Sequence, residues 1–234
     1  MNDKPTLFGF APAFGLPDPS PFVLKLILFM RIHDINFDLK SGDPRKTPYK
    51  KIPVLEHKGI TIADSERILD YLEQTYSITN DKLNTEQNAI GQLLVRGLDS
   101  NLYWSIVYSR WMQKPNSEKI RETFMGEIPS LLRRPLFAVI QRSVKRDLQG
   151  HGIGRMEAEK IYAFANKDVE ALSVVLGDKP YLFGDTISRY DCAAAAYVAQ
   201  MQPEGLESPH ADMVKAHPNL ISYWERIKNK YLEA

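Results

Sequence analysis

The fold is decided by residues 50–66, which have the sequence KKIPVLEHKGITIADSE. Apolar residues suited to strands flank the short glycine-containing connection His57-Lys58-Gly59, and this pattern predicts a β-hairpin. Asp64 or Ser65 can N-cap the helix that follows. That helix would bury an apolar stripe formed by Ile68, Leu69 and Leu72.

Pro53 lies inside the first apolar strand pattern of this stretch, where a proline is unexpected because it cannot donate to a strand ladder. One explanation is that the strand is an edge strand at that position. Another is that the Ile52-Pro53 bond is cis and that the freed backbone faces a ligand. Cis bonds make up only roughly 5–6% of bonds before proline, so the residues alone favour the edge strand.

The composition excludes several classes of protein. There are 30 Lys and Arg residues against 29 Asp and Glu residues, with a net charge of +1, so no nucleic-acid partner is expected. A single cysteine, Cys192, excludes internal disulfides and cysteine-rich metal sites, and we predict no metal. No apolar run approaches the ~20 residues that span a bilayer, and the N-terminus has no signal-peptide pattern. We therefore expect a cytoplasmic protein without a membrane span.

The residues before the hairpin complete a first domain. Residues 6–10 predict a strand, Ser20-Pro21 predicts a helix start with an N-cap and an early proline, and residues 35–39 predict a second strand. With the hairpin and its helix, the order becomes β-α-β-β-β-α. This is a thioredoxin-like domain, which we place at residues 1–77.

A second domain, built only of helices, is predicted at residues 84–234, because the strand patterns stop after a polar linker at residues 78–83. The fold class is therefore α+β. The glycine-rich residues 150–154 must form a turn. The expected helical stretches are residues 84–113, 118–148 with interruptions at Pro129 and Pro135, 156–176, 191–201 and 218–231.

Two motifs in this arrangement resemble the glutathione S-transferase family. Residues 51–55, followed by a glycine turn and Asp64-Ser65, are similar to the glutathione-binding half of that family. The sequence Ser188-Arg189-Tyr190-Asp191 forms a capping box, and the family has such a box at the same place in its second domain.

The resemblance covers nearly the whole chain and narrows to one branch of the family. Residues 20–26, 150–155 and 168–185 resemble the failed-axon-connections branch, which is related to the metaxins. Two positions depart from that branch: Met156 stands where a histidine is expected, and Val23 stands where some members have cysteine.

The resemblance implies glutathione as the co-substrate, a cis peptide bond before Pro53, and a homodimer. It also implies that Ile52 binds the backbone of the glutathione cysteine and that Asp64 and Ser65 hold the γ-glutamyl end. Lys51 can meet the glycyl carboxylate, although a solvated charge run explains it equally well.

Ser20 is the candidate catalytic residue. A free thiol has a pKa of about 8.5 and is mostly protonated at neutral pH, whereas a hydroxyl donor and a helix N-terminus both favour the thiolate. The alternative is that Ser20 only caps its helix. Because Ser20 and Val23 replace both cysteines of a Cys-x-x-Cys motif, dithiol chemistry through this motif is excluded.

Four aromatic residues of the long predicted helix are candidates for the pocket of the second substrate. They are Tyr103, Trp104, Tyr108 and Trp111. Three of them are spaced so that they share one helix face. Such a stripe is more often part of a core, so both interpretations stay open.

These observations predict a glutathione transferase that adds the glutathione thiolate to a small hydrophobic electrophile, as in detoxification. One alternative is a non-catalytic interaction protein with the same fold, which the metaxin relationship allows. Another is a glutathione-dependent reductase or peroxidase that uses only the thiol of glutathione.

Overall fold

The computed structural model describes residues 4–79, 82–126 and 128–233, so residues 80 and 81 of the predicted linker lie outside the described part. One four-stranded sheet has the order β2-β1-β3-β4. Its strands are β1 Thr6–Gly9, β2 Asp38–Ser41, β3 Val54–His57 and β4 Ile60–Ala63. β1 is parallel to β2 and antiparallel to β3, and β3 is antiparallel to β4. The predicted thioredoxin-like order is confirmed.

The predicted hairpin at the centre of residues 50–66 is present. Val54 pairs with Ala63 and His57 pairs with Ile60, so the loop consists of two residues. Those residues, Lys58 and Gly59, have φ angles of 50° and 78°. A turn with positive φ at both positions matches the right-handed twist of the strands, which explains the glycine.

The second strand lies later in the chain than predicted. It spans Asp38–Ser41 rather than residues 35–39. Ile35 is buried, and its N–H donates to the Met30 carbonyl at 2.8 Å, which ties it to the end of the first helix. Its apolar character therefore reflects packing behind that helix rather than a place in the sheet.

Ten α-helices occur in the described residues. They are α1 Pro21–Ile32, α2 Ser65–Thr75, α3 Thr85–Gly97, α4 Tyr103–Met112, α5 Asn116–Met125, α6 Ser130–His151, α7 Ala158–Leu176, α8 Arg189–Met201, α9 Pro209–Lys215 and α10 Pro218–Tyr231. No helix of this part of the chain is long and apolar enough to cross a membrane. Helices dominate everything after the sheet, as the fold-class prediction required.

The main core lies where α1 packs against α8. Residues 23–30 of α1 and residues 190–201 of α8 are all buried. Both helices belong to one continuous apolar cluster that also includes strand residues such as Leu7 and Leu55. The thioredoxin-like and helical parts therefore share a core, and the start of α1 is held from both sides.

The long helix predicted at residues 84–113 is two helices, α3 and α4, joined by a π-helical turn at Leu98–Leu102. Asn84 and Gln87 form a capping box at the start of α3. A π-turn adds a residue to one helical turn, so side chains on either side of it face different directions. All four predicted pocket aromatics lie after this turn, in α4.

Two of the interruptions predicted in the helical part, at Pro135 and at Gly150, are absent, because both residues lie within α6. α6 begins after Pro129, as expected, but Pro135 lies within α6. The N–H that a proline lacks would pair with the Leu131 carbonyl, and Leu131 is 89% exposed, so water can bind that carbonyl. α6 also continues through Gly150 to His151, and the turn begins only at Gly152, whose φ is 103°.

Other helix boundaries agree with the sequence patterns. Gly177 ends α7 with a φ of 57°, and α10 spans the predicted residues. At the predicted capping box, the Asp191 carboxylate accepts hydrogen bonds from the Ser188 N–H at 2.8 Å and the Ser188 hydroxyl at 2.7 Å. The seven-residue helix α9 was not predicted, because so short a helix shows no apolar period.

Candidate functional site

The sheet register brings the predicted glutathione-binding residues to one edge. Phe8 pairs with Val54, and Val54 pairs with Ala63. One residue further, Pro53 lies between Gly9 and Asp64. This edge contains the carboxyl ends of the parallel strands β1 and β2, where open α/β sheets bind ligands. The Ile52-Pro53 bond is cis, as the resemblance implied.

The main chain of Ile52 is open at this edge. Its N–H and carbonyl have no hydrogen-bond partner in the described ranges. The preceding carbonyl, that of Lys51, lies 2.8 Å from the Thr47 hydroxyl, which holds the loop in place. A Cβ at Gly42 would approach the Ile52 side chain to 3.3 Å, so the loop from β2 also packs closely here. The side chain of Lys51 is exposed.

Asp64 and Ser65 form the start of α2. The Asp64 carboxylate accepts the N–H groups of Glu66 at 3.0 Å and Arg67 at 3.2 Å. Asp64 has a φ of 84° and a ψ of 129°, which is unusual for a residue with a side chain. Such a conformation costs about 1–3 kcal/mol and tends to occur at ligand sites. Ser65 is buried, and its hydroxyl has no hydrogen-bond partner in the part of the chain that is described.

Ser20 occupies the N-cap position of α1, and Pro21 follows it as the first helical residue. The Ser20 side chain nevertheless makes no capping hydrogen bond, so the expectation of an ordinary hydroxyl cap is wrong. Among the described residues its hydroxyl has no partner at all. A half-buried hydroxyl at a helix N-terminus is therefore open to a ligand.

Asp18 was not recognised in the sequence, although it lies two residues before Ser20. Its side chain is fully buried and accepts the N–H of Phe10 at 2.6 Å and the N–H of Ser20 at 2.8 Å. Burial raises the pKa of Asp18 to about 7, against the lowering effect of these two N–H groups. The carboxylate joins the end of β1 to the start of α1.

Arg110 supports the same loop from the helical part. It is buried, and it donates to the Pro19 carbonyl at 2.7 Å and to the carbonyl and side-chain oxygens of Gln200 at 2.9 and 2.6 Å. Burial lowers the pKa of Arg110 to about 10. The structure places Arg110 between α4, α8 and the loop before Ser20.

An ion cluster connects α2 to the helical part beside the site. The ammonium of Lys25, a fully buried residue, lies 2.6 Å from Glu66 and 3.6 Å from Asp99. Arg189 lies 3.1 Å from Glu66 and 2.6 Å from Glu73. Burial acts to raise the pKa of Glu66, but Lys25 and Arg189 outweigh it and the pKa is lowered. Glu66 therefore carries a charge at the first turn of α2.

The four predicted pocket aromatics do not share one surface. Trp104 stacks on His151 at 5.1 Å, and Tyr108 contacts Tyr162 edge-on at 6.2 Å. Both pack against a separate apolar cluster between α4, α6 and α7. The Nε2 of His151 lies 2.8 Å from the Ser100 carbonyl oxygen, so this histidine has a local structural partner.

The other two aromatics lie nearer the loop before Ser20. Tyr103 contacts Phe22, two residues after Ser20, with ring centroids 4.9 Å apart. Trp111 stacks on Phe137 at 5.5 Å. The apolar cluster formed around Trp111 and Phe137 also includes Phe14 and Phe124.

The loop between β1 and α1 presents two further aromatic side chains that the sequence analysis missed. Phe10 and Phe14 contact Phe124 of α5, with centroid distances of 6.0 and 6.4 Å. Only the tertiary fold brings α5 to this loop, so no local pattern could reveal the contact.

A cavity of about 410 Å³ lies elsewhere, between the π-turn, the end of α6 and α7. Its lining includes Asn101, His151, Phe164 and Asp168, and it includes no predicted glutathione-binding residue. The predicted second-substrate aromatics do not line it. It is a separate feature of the helical part.

A thioredoxin-like sheet with an open cis-proline edge, joined to a helical half by a shared core, defines a protein of the glutathione-transferase class. Residues 21–116 match the glutathione S-transferase N-terminal domain, and residues 165–227 match the glutathione S-transferase C-terminal domain. The chain belongs to the glutathione S-transferase family, which confirms the resemblance drawn from the motifs.

Three relatives illustrate its place in that family. An isoprene-epoxide–glutathione S-transferase of Rhodococcus sp. (strain AD45) is 29% identical over 97% of this chain and 98% of its own. Failed axon connections of Drosophila melanogaster is 29% identical over 96% of this chain and 57% of its own. A mitochondrial outer membrane import complex protein, METAXIN, of Arabidopsis thaliana is 24% identical over 98% and 73%.

A beta-etherase from Sphingobium sp. strain SYK-6 has a similar structure, with a TM-score of 0.65, 17% identity, and coverage of 99% of this chain and 100% of that one. At this identity the similarity establishes the fold.

Proposed function

We propose that this protein is a glutathione transferase that adds the glutathione thiolate to a small apolar electrophile, with epoxides as the substrate class. One observation carries the proposal. The Ser20 hydroxyl, the Ile52 main chain and the Ser65 hydroxyl lack partners in the described structure and lie at the same edge of the sheet. Neither serine hydroxyl is an enclosed atom in the described structure, so a ligand at this edge can reach both of them together with the Ile52 main chain. The relative from Rhodococcus suggests the epoxide.

Glutathione would bind along this edge as a short additional strand. The open N–H and carbonyl of Ile52 would pair with the backbone of its cysteine, as in other cases of β-augmentation. The γ-glutamyl carboxylate would lie at the N-terminus of α2, where the Ser65 hydroxyl and the helix dipole favour a negative charge. Lys51, which is exposed, would meet the glycyl carboxylate.

Ser20 would stabilise the thiolate. Lowering a thiol pKa by two units requires about 2.7 kcal/mol of preference for the anion. A hydrogen bond to a charged group supplies roughly 1.5–3 kcal/mol, and a helix N-terminus supplies up to about 2 kcal/mol. The thiolate then attacks an epoxide carbon. The new C–S bond forms as the C–O bond breaks, and the resulting alkoxide takes a proton from water.

The apolar acceptor would lie between the loop that precedes Ser20 and the helices that cover it. Phe10 and Phe14 of the loop and Phe124 of α5 supply an aromatic wall there. Of the four aromatics predicted from the sequence, Tyr103 and Trp111 remain candidates for this pocket because they pack beside the same segment.

A non-catalytic interaction protein is the second candidate, and the metaxin and failed-axon-connections relatives favour it. Calorimetric titration with glutathione separates the two functions. A transferase should bind with an affinity between micromolar and millimolar, about −8 to −4 kcal/mol, and should consume a small monosubstituted epoxide together with glutathione. Absence of both binding heat and turnover would favour the interaction protein. Epoxide-independent oxidation of glutathione by a peroxide would indicate the peroxidase alternative.

Two accompanying properties belong to this proposal. The first is a two-fold homodimer, the commonest symmetry of soluble oligomers. Leu93 of α3 and Leu131 of α6 are 73% and 89% exposed, which provides apolar surface for a second copy. Light scattering that gives a monomer mass at high concentration would exclude the dimer.

The second accompanying property is residence in the cytoplasm, which cell fractionation tests. The domain boundary is proposed at residues 78–83, as the sequence suggested.

A further inference from the structure

We infer that Asp18 is a positioning residue whose carboxylate fixes the direction of the Ser20 hydroxyl and so acts on the glutathione thiolate through Ser20. This inference rests on the proposed transferase function and adds a residue to its machinery. The argument begins with the two ends of the loop that contains Asp18.

The carboxylate of Asp18 joins those two ends with separate oxygens. Oδ2 accepts the N–H of Phe10, directly after β1, and Oδ1 accepts the N–H of Ser20, directly before α1. A carboxylate can accept at both oxygens at once, whereas most side chains cannot. The entire loop is therefore closed by one buried side chain.

The end of β1 leaves no space for a different arrangement of the Asp18 side chain. A Cβ at Gly9 would lie 2.3 Å from the Asp18 Oδ2 and 2.8 Å from the Val23 Cγ1. Only glycine fits at position 9 while the carboxylate stays where it is. The position of the Asp18 side chain is thus fixed by the strand as well as by its hydrogen bonds.

The helical part holds the backbone on the other side. The Gln200 side chain donates to the Asp18 carbonyl at 2.9 Å, and Arg110 donates to the Pro19 carbonyl. Arg110 also donates to Gln200 itself. Both residues before Ser20 are consequently restrained at their carbonyl groups, which holds the backbone at Ser20 in place.

The arrangement decides which donor can reach a bound thiolate. The N–H groups of Phe10 and Ser20 lie at the two ends of the loop beside the site, and Asp18 accepts both. The Ser20 hydroxyl has no such partner in the described part of the structure. Asp18 therefore withholds these two backbone donors from a bound thiolate and leaves the Ser20 hydroxyl available to it.

Asp18→Asn tests this role, because the amide keeps the size of the side chain but can accept only at one atom and presents an N–H₂ group to the other backbone N–H. The pKa of bound glutathione, read by thiolate ultraviolet absorbance, should rise by about one unit, so that ~10-fold less thiolate is present below that pKa. The kcat near neutral pH should fall by a similar factor, and the Kd for glutathione should change by less than about 3-fold.

The sign of the pKa change separates positioning from simple electrostatics. Asp18, whose pKa is raised to about 7, is charged above that pH, and removing this charge near the thiolate would by itself lower the thiol pKa. A lowered or unchanged pKa in Asp18→Asn therefore overturns the inference. In a Ser20→Ala background, Asp18→Asn should cause no further pKa rise, and a full additional rise would also overturn it.

Asp191→Asn is the matched control, because Asp191 is another fully buried carboxylate that accepts two backbone N–H groups. It should lower the melting temperature without changing the thiolate pKa.

If Asp18→Asn does not fold, Gln200→Met removes the bond to the Asp18 carbonyl and should also raise the pKa of bound glutathione, by a smaller amount. No rise in that variant overturns the inference. A wild-type protein that does not bind glutathione would overturn both this role and the proposed function, whereas binding with an unmoved pKa overturns only the role of Asp18.

Discussion

The helices α1 and α8 both begin at a serine, but only one of the two serine hydroxyls has a hydrogen-bond partner in the described structure. Each helix is preceded by a serine at the N-cap, Ser20 or Ser188, and the two helices pack together in one core. The Ser188 hydroxyl donates to Asp191 at 2.7 Å within a complete capping box. The Ser20 hydroxyl is open, and the nearby carboxylate of Asp18 accepts backbone N–H groups instead.

This difference distinguishes a helix start that serves the fold from one that we propose serves a ligand. At α8 the Ser188 hydroxyl and the Asp191 carboxylate are both paired, so the sequence motif explains the arrangement of these side chains. At α1 the backbone is satisfied by Asp18 and the side chain of Ser20 is left without a role in stability. Proteins deviate from local rules mainly at functional sites, and the deviation here coincides with the open edge of the sheet.

The largest effect should come from breaking the complete helix start. Asp191→Ala would leave the N–H groups of Leu182 and Ser188 and the hydroxyl of Ser188 without their acceptor. Because each buried unsatisfied group costs about 1–3 kcal/mol, the free energy of unfolding should fall by roughly 3 kcal/mol or more. Urea unfolding measures this change. Ser20→Ala should stay within about 0.5 kcal/mol of the wild type, and an equal loss in both variants would remove the distinction.

A third helix start, that of α9, adds a dependence on pH. The Ser208 hydroxyl lies 2.6 Å from Nδ1 of His210, and the Ser105 hydroxyl lies 2.8 Å from Nε2. Burial, with Arg110 nearby, lowers the pKa of His210 to about 3. Between that value and the ordinary value near 6.5, the unfolded chain binds more protons than the folded one. Stability should therefore fall as the pH drops below about 6.5.

The expected loss from His210 is about 2 kcal/mol between pH 6.5 and pH 5. Burial raises the pKa of Asp18, so that group acts with the opposite sign in the same window. The useful quantity is therefore the difference in unfolding free energy between the wild type and His210→Gln at each pH. A difference that does not change with pH would show that His210 titrates normally.

The third prediction concerns the open helix start directly. Ser20→Ala removes the hydroxyl but leaves the helix N-terminus, so about half of the thiolate stabilisation should be lost. The pKa of bound glutathione should rise by roughly one to two units, and turnover at neutral pH should fall ~10-fold or more with little change in glutathione affinity. Ser188→Ala is the matched control. It should cost about 1 kcal/mol of stability and leave the kinetics unchanged.

The same contrast explains how far the sequence could predict this molecule. The hairpin, the Ser188–Asp191 box and α10 are local patterns, in which the interacting residues lie within a few positions of each other. The cis bond before Pro53 followed from a family resemblance. Physical reasoning from composition alone favoured an edge strand there, and β3 is in fact an inner strand of the sheet.

The parts that the sequence did not reveal depend on distant contacts. Gln200 and Arg110 reach the loop before Ser20 across about 90 residues or more, and no periodicity encodes such a pairing. Asp18 looked like an ordinary loop residue, because its role depends on the path of the chain between Phe10 and Ser20. Trp104 and Trp111 lie on one helix but contact opposite ends of α6, at His151 and Phe137, which spacing within a single helix could not show.

The smallest effect should appear at the start of α2, which combines both types of helix start. Asp64 accepts two first-turn N–H groups, so a side chain caps this helix start as one does at α8, while the Ser65 hydroxyl stays open, as the Ser20 hydroxyl does at α1. Ser65→Ala should therefore leave the stability nearly unchanged and remove one hydrogen bond to the γ-glutamyl carboxylate. A bond to a charged group is typically worth about 1.5–3 kcal/mol, but the helix N-terminus and water replace part of it, so we expect a loss of about 1 kcal/mol, or ~5-fold in Kd.

Lys50→Ala is the control, since Lys50 is exposed with a φ of 52° and has no assigned contact to glutathione. Calorimetry that shows equal weakening in both variants would place the γ-glutamyl end of glutathione away from α2, and the comparison of open and closed helix starts would then hold for Ser20 alone.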